Sequence, residues 1–554
     1  MAFQVSPGVE VKEIDATNVV PAVSTSIGGF VGAFTSGPVN QMVTVGSEKE
    51  LAEIFGKPDD TTAKYFLTAA SFLAYGNALK VVRVVGGDAN NATGSGTPAD
   101  IANEDDYAPV TDSIWIARQQ GTLGNSLKVE IAGPTGFATM SAKSSFDAAP
   151  GTSEYATNLG KTSANDEVHV AVIDEDGAIT GTPGTVLETF AFVSQAADAK
   201  KTDGSTNYYK NVINSQSQYI YWGSHVAAMT NGGDLLASTS SYADPGLEAD
   251  SLSGGTNDND VGTAELQAGY DLLADAETVD VNLLFGYPDA DGSDVMAKYL
   301  IAIAEARKDC VAFVSPPIED SVSGGVSAVT NVETWASGLP SSSYGVTDSS
   351  AVYVYDKYSD VYRWIGAAGH IAGLCANTDR VADAWFSPAG VTRGQLRNVV
   401  KLAINPKKAD RDTLYKARVN PLVAFPGQGI QMFGDKTLQA KPSAFDRINV
   451  RRLFIVLEKA IATAAKASLF EFNDEFTRAQ FRNMVEPFLR DVKGRRGLTD
   501  FLVICDETNN TGQVIDSNSF VCDMYIKPAR SINFITLNFI ATRTGVEFSE
   551  IAGA

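Results

Sequence analysis

The sequence has 554 residues, of which 44% are hydrophobic and 20% charged, and its formal net charge is −23. This composition excludes a fibrous or an intrinsically disordered chain and predicts several globular domains of roughly 150 residues each. The acidic balance argues against nucleic acid as a partner, because phosphates repel a protein of the same sign.

The chain begins with a stretch, SPGVEVKEID, whose Val9 and Val11 alternate with charged residues and so predict a short strand. No partner strand follows across a tight turn, because the next stretch contains Pro21 and a glycine pair. A lone strand leaves backbone donors and acceptors unpaired. We therefore predict an amino-terminal arm over residues 1–22 that finds its sheet in another copy of the chain or, alternatively, elsewhere in its own subunit.

The next segment, residues 23–93, predicts the first part of an α/β core. TSIGGFVGAF and KVVRVVGG are rich in the apolar residues of buried strands, and two helical patterns lie between them. The first of these helices begins with Ser47 followed three residues later by Glu50, the spacing of a capping box.

Composition changes at residue 94 and remains different to residue 255. This stretch holds 7 Lys and Arg against 20 Asp and Glu, and its strand patterns are separated by Gly- and Asn-rich turns. We predict an inserted, β-rich domain at the surface. The α/β character returns over residues 256–400, where apolar strands alternate with helices and predict parallel pairing.

The last third is the basic part of the chain, with 22 Lys and Arg against 17 Asp and Glu over residues 401–554. Two helices are predicted, over 449–470 and 472–497, and strands follow. Asn473 is the expected cap of the second helix, and the first carries an apolar stripe at helical spacing, made of Val450, Leu453, Leu457, Ile461, Ala464 and Leu469. We predict an α+β domain over 401–528 and a terminal strand over 529–554. The fold class is therefore a multidomain α+β protein with an interrupted α/β core, an inserted β-rich outer domain and an α+β carboxyl-terminal domain with terminal strands.

Both ends of the chain thus carry strands without an obvious sheet. The final strand is apolar on both faces, so it requires cover on both sides. The side chains that would mediate contacts between subunits are Val5, Val9, Val11, Ile14, Ile532, Phe534, Ile535, Leu537 and Phe539.

Sequence motifs for catalysis, cofactor binding and metal binding are weak, so we expect that the protein is not an enzyme and has no cofactor and no metal site. The four cysteines are far apart and predict free thiols, although a bridge between Cys505 and Cys522 is possible. His169 lies in the middle of a strand and is expected at the surface. The glycine-rich GAAGHIAG (366–373) lacks dinucleotide-binding spacing and indicates close helix packing instead.

No apolar run approaches the roughly 18 residues of a membrane span, so we expect no stable membrane insertion. The start, MAFQVSPG, lacks the features of a secretory signal, and we expect synthesis in a cytoplasm. The basic pair at Arg451 and Arg452 is a candidate for phosphate binding, although the overall charge favours contacts with protein.

Several stretches resemble contractile tail sheath proteins, and most closely those of large contractile-tailed bacteriophages. The resemblance covers residues 1–90 and 350–554 and is carried by YDKYSDVYRWIGAAGHIAGLCANTDRVADAWFSPAG (355–390), NPLVAFPGQGIQMFGDKTL (420–438), INVRRLFIVLEKAI (448–461) and FEFND (470–474).

The resemblance implies a structural subunit that polymerises as six-fold rings around a tail tube and contracts to drive the tube through the host envelope. It implies a virion component assembled in the host bacterial cytoplasm, with the tube, baseplate and tail terminator proteins as partners. It implies that both arms are donated to the carboxyl-terminal sheets of neighbouring copies. We expect the basic carboxyl-terminal third to face the tube through Arg478, Arg482, Arg490, Lys493, Arg495 and Arg496.

Two alternatives remain from the sequence. One is the sheath of a phage-derived bacterial contractile injection system. The other belongs to a different class, a module that binds a host surface through the β-rich insertion.

Overall fold

The structure, a computed structural model, describes residues 23–95, 97–229, 235–238, 241–289 and 293–533. The chain forms two compact units. The larger unit comprises the described residues up to Ala384 together with Pro388–Lys459. The smaller unit comprises Trp385–Ser387 and the described residues from Ala460 onward.

The described residues form strands that are numbered here in chain order. They are β1 (Gly28–Gly32), β2 (Met42–Val45), β3 (Leu79–Arg83), β4 (Asn91–Thr93), β5 (Trp115–Gln120), β6 (Leu127–Ala132), β7 (Glu167–Asp174), β8 (Thr185–Ser194), β9 (Ile220–Trp222), β10 (Leu247–Ser251), β11 (Leu283–Phe285), β12 (Val311–Val314), β13 (Gly345–Thr347), β14 (Val352–Asp356), β15 (Val361–Ile365), β16 (Val399–Leu402), β17 (Leu422–Phe425), β18 (Gly429–Met432), β19 (Leu498–Ile504) and β20 (Asp523–Pro528).

The helices are numbered in the same way. They are α1 (Glu48–Phe55), α2 (Ala63–Leu73), α3 (Glu154–Asn158), α4 (Tyr209–Gln216), α5 (Thr263–Asp271), α6 (Val295–Arg307), α7 (Ile318–Val322), α8 (Ala328–Ser337), α9 (Ala368–Val381), α10 (Lys408–Lys416), α11 (Ile448–Ala465), α12 (Glu475–Gly494) and α13 (Gly512–Asp516).

A six-stranded sheet forms the centre of the larger unit, in the order β13-β12-β11-β1-β3-β2. Its neighbouring strands are parallel except at the β2 edge, which pairs antiparallel with β3. Strands from before and after the insertion thus share one sheet, which confirms the interrupted α/β core. Alternate side chains pack on opposite faces: Phe30 and Phe285 lie in one apolar core, and Val31 and Leu284 in the other.

Helices α2 and α9 pack against each other beside the sheet because two glycines of α9 permit close approach. A Cβ atom at Gly369 would lie 2.4 Å from the carbonyl oxygen of Thr68, and one at Gly373 would lie 2.5 Å from the Tyr75 ring. Both distances are too short for an ordinary contact. The expectation that GAAGHIAG serves close packing is therefore confirmed.

The capping box predicted for α1 is present in part. The Ser47 hydroxyl accepts the backbone hydrogen of Glu50 at 3.2 Å, but the Glu50 carboxylate accepts from Gly46 N at 2.8 Å, one residue before the expected donor. The helix begins where the sequence indicates.

The insertion is β-rich, as predicted. Its strands form an antiparallel sheet, β10-β6-β7-β8, and its strands β5 and β9 form a smaller sheet with β4, which ends at Thr93 just before the insertion. Arg83, at the end of β3, is fully buried and donates to the carbonyl oxygens of Phe34, Gly37 and Gln120 at 2.7–3.0 Å. Burial lowers the pKa of this guanidinium to about 9. The side chain thereby ties the core strand to the first long strand of the insertion.

The expectation that His169 lies at the surface is wrong. Its ring is fully buried and stacks on Phe146 with centroids 4.3 Å apart. Nδ1 accepts from Phe192 N at 3.0 Å, so Nε2 carries the hydrogen that is donated to Ala148 O at 2.8 Å. Strand alternation indicates which face a residue takes, but it does not indicate that a distant loop covers that face.

Helix α11 buries the predicted stripe of Val450, Leu453, Leu457, Ile461 and Ala464. The stripe was expected to extend to Leu469, and this was wrong, because that side chain is 62% exposed. The reason is that α11 ends at Ala465, so later residues no longer follow its helical period.

Candidate functional site

The smaller unit contains a two-stranded sheet whose two outer edges find no partner strand among the described residues. β19 and β20 pair antiparallel, with Leu502 opposite Tyr525 and Phe501 opposite Ile526. Leu502 and Tyr525 are 56% and 59% exposed, so an apolar pair faces outward. Two-stranded sheets are marginal in water, and open edges invite further strands. Within the described residues, this sheet therefore leaves both of its edges unpaired.

Helix α12 supports this sheet by packing on β19. The Asp474 carboxylate accepts from Thr477 N at 2.8 Å and caps the helix, whereas Asn473 was the expected cap. The apolar side chains that α12 buries are Phe481, Met484, Val485, Leu489 and Val492. The helix thus gives the sheet one covered face.

The predicted tube-facing cations do not share one environment. Arg490, Lys493, Arg495 and Arg496 are exposed, and Arg482 is half-buried. Lys493 pairs with Asp500 at 3.1 Å, and the Arg495 guanidinium also lies over the Trp385 ring at 5.2 Å. Four of the six side chains therefore present charge near the carboxyl end of α12.

Arg478 departs from the expectation of an exposed cation. Its side chain is buried, and its guanidinium donates to the side-chain oxygen of Asn473 at 2.9 Å. It lies in the first turn of α12, where the helix packs inward. Its role is to hold the start of the helix rather than to present charge.

Most of the predicted arm residues lie outside the described residues, namely Val5, Val9, Val11, Ile14, Phe534, Ile535, Leu537 and Phe539. Ile532 is described, belongs to no strand and is 82% exposed. An aliphatic side chain this exposed, four residues after β20, has no cover within the described chain.

An exposed apolar cluster around the start of α12 was not predicted from the sequence as a contact site. Leu469, Phe470, Phe472 and Phe476 are all strongly exposed, and Phe470 is fully so. Clustered exposed apolar side chains commonly mark protein contacts. The signal was available in SLFEFNDEF, where three phenylalanines within seven residues follow no helical or strand period.

The start of the larger unit is held by a buried ion pair. Arg452 Nη2 donates to Asp379 Oδ2 at 2.6 Å and to the Thr25 carbonyl oxygen at 3.1 Å. Burial acts to lower the pKa of Arg452, but the Asp379 carboxylate outweighs this and leaves the pKa raised. The residues that follow the predicted amino-terminal arm are thus attached to α9 and α11.

The suggestion that Arg451 and Arg452 bind phosphate is not supported, because both side chains are buried against protein groups. The Arg451 guanidinium lies over the rings of Phe445 at 4.0 Å and Tyr344 at 4.3 Å. The positive charges of Arg451 and Arg452 therefore interact with other groups of the same chain.

Within the described ranges, no group of three or more His, Cys, Asp or Glu residues is placed to hold a metal ion. Burial raises the pKa of the Cys310 and Cys375 thiols to about 12 and lowers that of His370 to about 4. None of the described helices combines the length and the apolar character needed to cross a bilayer.

Three family profiles match the sequence. They are "Tail sheath protein Gp18 domain III N-terminal region" at residues 25–84, "Phage tail sheath protein central domain" at 260–438 and "Phage tail sheath C-terminal domain" at 440–542. Two phage proteins named tail sheath protein are similar over the whole length. That of Enterobacteria phage T4 is 34% identical and that of Vibrio phage KVP40 is 33% identical, each over 99% of both chains.

Solved structures show the same fold. A sheath tail protein from Listeria innocua superposes with a TM-score of 0.54 at 12% identity, covering 92% of this chain and 96% of the other. The PVC sheath of an extracellular contractile injection system, in the contracted state, gives 0.51 at 13% identity and covers 98% and 99%.

Proposed function

The chain belongs to the phage tail sheath protein family and is a structural subunit of a contractile tail sheath, and we propose that its two ends join neighbouring copies within that sheath. The strands predicted at residues 1–22 and 529–554 add to the open edges of β19 and β20 in other subunits. Backbone hydrogen bonds supply affinity, and alternating side chains set the register.

The observation that carries this proposal is the two-stranded sheet in the smaller unit. It offers two unpaired edges and an exposed Leu502–Tyr525 pair. The sequence predicts two strands that lack a sheet. Two added strands would complete a four-stranded sheet, which is large enough for independent stability.

We propose further that the subunits form six-fold rings stacked around a tail tube. The exposed cations Arg490, Lys493, Arg495 and Arg496 face the tube, and the acidic residues 94–255 face outward, where charge favours solubility. Baseplate and terminator proteins hold the two ends of the stack. Assembly takes place in the host cytoplasm, and the chain acts without catalysis.

Contraction then drives the tube through the host envelope while the arms keep the subunits connected. If contraction buries on the order of 200 Å² more apolar surface per subunit, the gain is about 5 kcal/mol per subunit. Summed over the subunits of many rings, this gain in free energy makes contraction effectively irreversible.

The phage sheath is favoured over the sheath of a bacterial injection device. The phage relatives are 33–34% identical over nearly the whole chain, whereas the sheath of the extracellular contractile injection system is 13% identical. The latter level of identity supports the shared fold alone.

The test is to delete residues 1–20 and examine assembly by electron microscopy. We expect a folded subunit, with an unchanged thermal unfolding midpoint, that forms no long sheaths. A sharper comparison substitutes Val9→Asp and Val11→Asp on one face of the predicted strand, with Glu10→Gln and Lys12→Gln on the other face as the control. Long sheaths from the deleted protein would refute the arm linkage.

A further inference from the structure

Two cysteines face each other at one end of the β19–β20 pair. The register places Ile504 opposite Asp523, and Cys505 and Cys522 are the next residues outward from this pair. Opposed residues in antiparallel strands have Cα atoms about 4.5–5.5 Å apart. This separation lies within the range found for disulfide-linked cysteines.

Side-chain amides hold the two cysteines in this register. The Asn510 amide nitrogen donates to Val521 O at 2.7 Å, and its amide oxygen accepts from Val521 N at 2.9 Å. Asn509 donates to the Ile504 carbonyl oxygen at 2.7 Å. The backbone neighbour of each cysteine is therefore fixed while both thiols are still free.

The two sulfurs already interact. Cys522 donates its thiol hydrogen to Cys505, and this hydrogen bond, assisted by Arg478 and Arg482, lowers the pKa of Cys505. The same hydrogen bond and burial raise the pKa of Cys522. Cys505 is buried, whereas Cys522 is only half-buried, so Cys522 is the more accessible of the two residues.

We propose that Cys505 and Cys522 form a reversible disulfide site that responds to small-molecule disulfides such as oxidised glutathione. Cys522 first passes its proton to the Cys505 thiolate and then attacks one glutathione sulfur; the glutathione S–S bond breaks, and the departing thiolate takes that proton from Cys505. Cys505, as thiolate, then attacks the Cys522 sulfur and releases the second glutathione thiolate, which takes up from solvent the proton that Cys505 had released to form its thiolate. Two protein thiols are oxidised, and one glutathione disulfide is reduced to two thiols.

The bridge would close residues 506–521 into a covalent loop and lock one end of the β19–β20 pair. This sheet is the one that we propose receives the arms. Oxidation requires only the folded subunit, so failure of the arm linkage and failure of the disulfide are separate results.

The experiment exposes the folded full-length protein to oxidised glutathione, unfolds it in iodoacetamide and digests it with trypsin without reductant. Residues 497–530 form one tryptic peptide that contains both cysteines, because trypsin does not cleave the bond between Lys527 and Pro528. We expect this peptide to be unalkylated and two hydrogen atoms lighter in most molecules, and to become doubly alkylated after prior reduction. Cys310 and Cys375, which are fully buried, serve as internal controls and should be alkylated throughout.

Cys522→Ser is the matched variant, because it keeps the buried Cys505 and removes the half-buried sulfur. We expect Cys505 in this variant to be alkylated and to form no bridge. The proposal is overturned if the unsubstituted protein yields a doubly alkylated peptide, a peptide that carries glutathione without a bridge, or a peptide linked to another chain.

Discussion

Thr25 donates its hydroxyl hydrogen to Asp379 Oδ2 at 2.7 Å, joining positions 354 residues apart in the sequence. Arg452 binds the same carboxylate oxygen. Thr25, three residues after the end of the predicted arm, is therefore tied to two helices of the larger unit. An arm that transmits force between subunits needs such a fixed base.

The ion pair itself can be tested by Asp379→Asn, which leaves Arg452 buried without a carboxylate. Breaking a buried pair costs about 3–5 kcal/mol, and we expect this loss in the free energy of unfolding from denaturant titration. The control is Glu53→Gln, which removes an exposed ion pair in which Lys49 Nζ lies 3.2 Å from Glu53 Oε1. We expect this control to lower the free energy of unfolding by at most about 0.5 kcal/mol. Equal, small losses in both variants would contradict the buried pair.

Close packing of α9 on α2 predicts that Gly369→Ala destabilises the larger unit. The added Cβ would meet the Thr68 carbonyl oxygen at 2.4 Å, and backbone cannot move aside as a side chain can. We expect a loss of about 1–3 kcal/mol in the free energy of unfolding. Gly87→Ala is the control, because a Cβ there meets nothing within 4 Å. An unaffected Gly369→Ala protein would show that the helices are free to separate.

His370 predicts a pH dependence of stability. Burial lowers its pKa to about 4, below the ordinary value of about 6.5, so the unfolded chain binds more protons between these values. Stability is therefore retained above about pH 6.5 and falls as the pH drops towards 4, by up to about 3 kcal/mol. Its Nδ1 faces the Tyr75 hydroxyl at 3.3 Å, and the Arg397 guanidinium lies over the Tyr75 ring at 5.0 Å, which disfavours a second cation.

The measurement for His370 is the difference in unfolding free energy between the unsubstituted protein and His370→Gln as a function of pH. We expect the variant to lose this part of the pH dependence. His225→Gln serves as the comparison. The burial argument would be refuted if both proteins showed the same slope between pH 6.5 and 4.

The proposed tube-facing surface predicts that reversing Arg490→Glu and Arg496→Glu weakens assembly on tubes more than it weakens folding. Both side chains are exposed, so the unfolding free energy should change by at most about 0.5 kcal/mol. The matched control reverses Lys200→Glu and Lys201→Glu in the acidic insertion, also at exposed positions. Co-sedimentation with tubes should fall only in the α12 variant. Equal co-sedimentation of the two variants would count against an inward basic surface.

The sequence alone predicted the features that depend on local pattern. The Ser47 cap, the apolar stripe of α11 as far as Ala464 and the apolar strand segments on either side of the insertion were all predicted correctly. Each depends on residues close in sequence, where periodicity and capping chemistry act directly.

Only the tertiary structure decided which side chains are covered. His169 and Arg478 were expected at the surface and are buried, whereas Leu469 was expected in the core and is exposed. The Thr25–Asp379–Arg452 contacts and the alignment of Cys505 with Cys522 also depend on strands and helices that meet far apart in sequence. Burial and charge pairing depend on segments that are distant in sequence. A local pattern contains no information about which of these segments packs against a given residue.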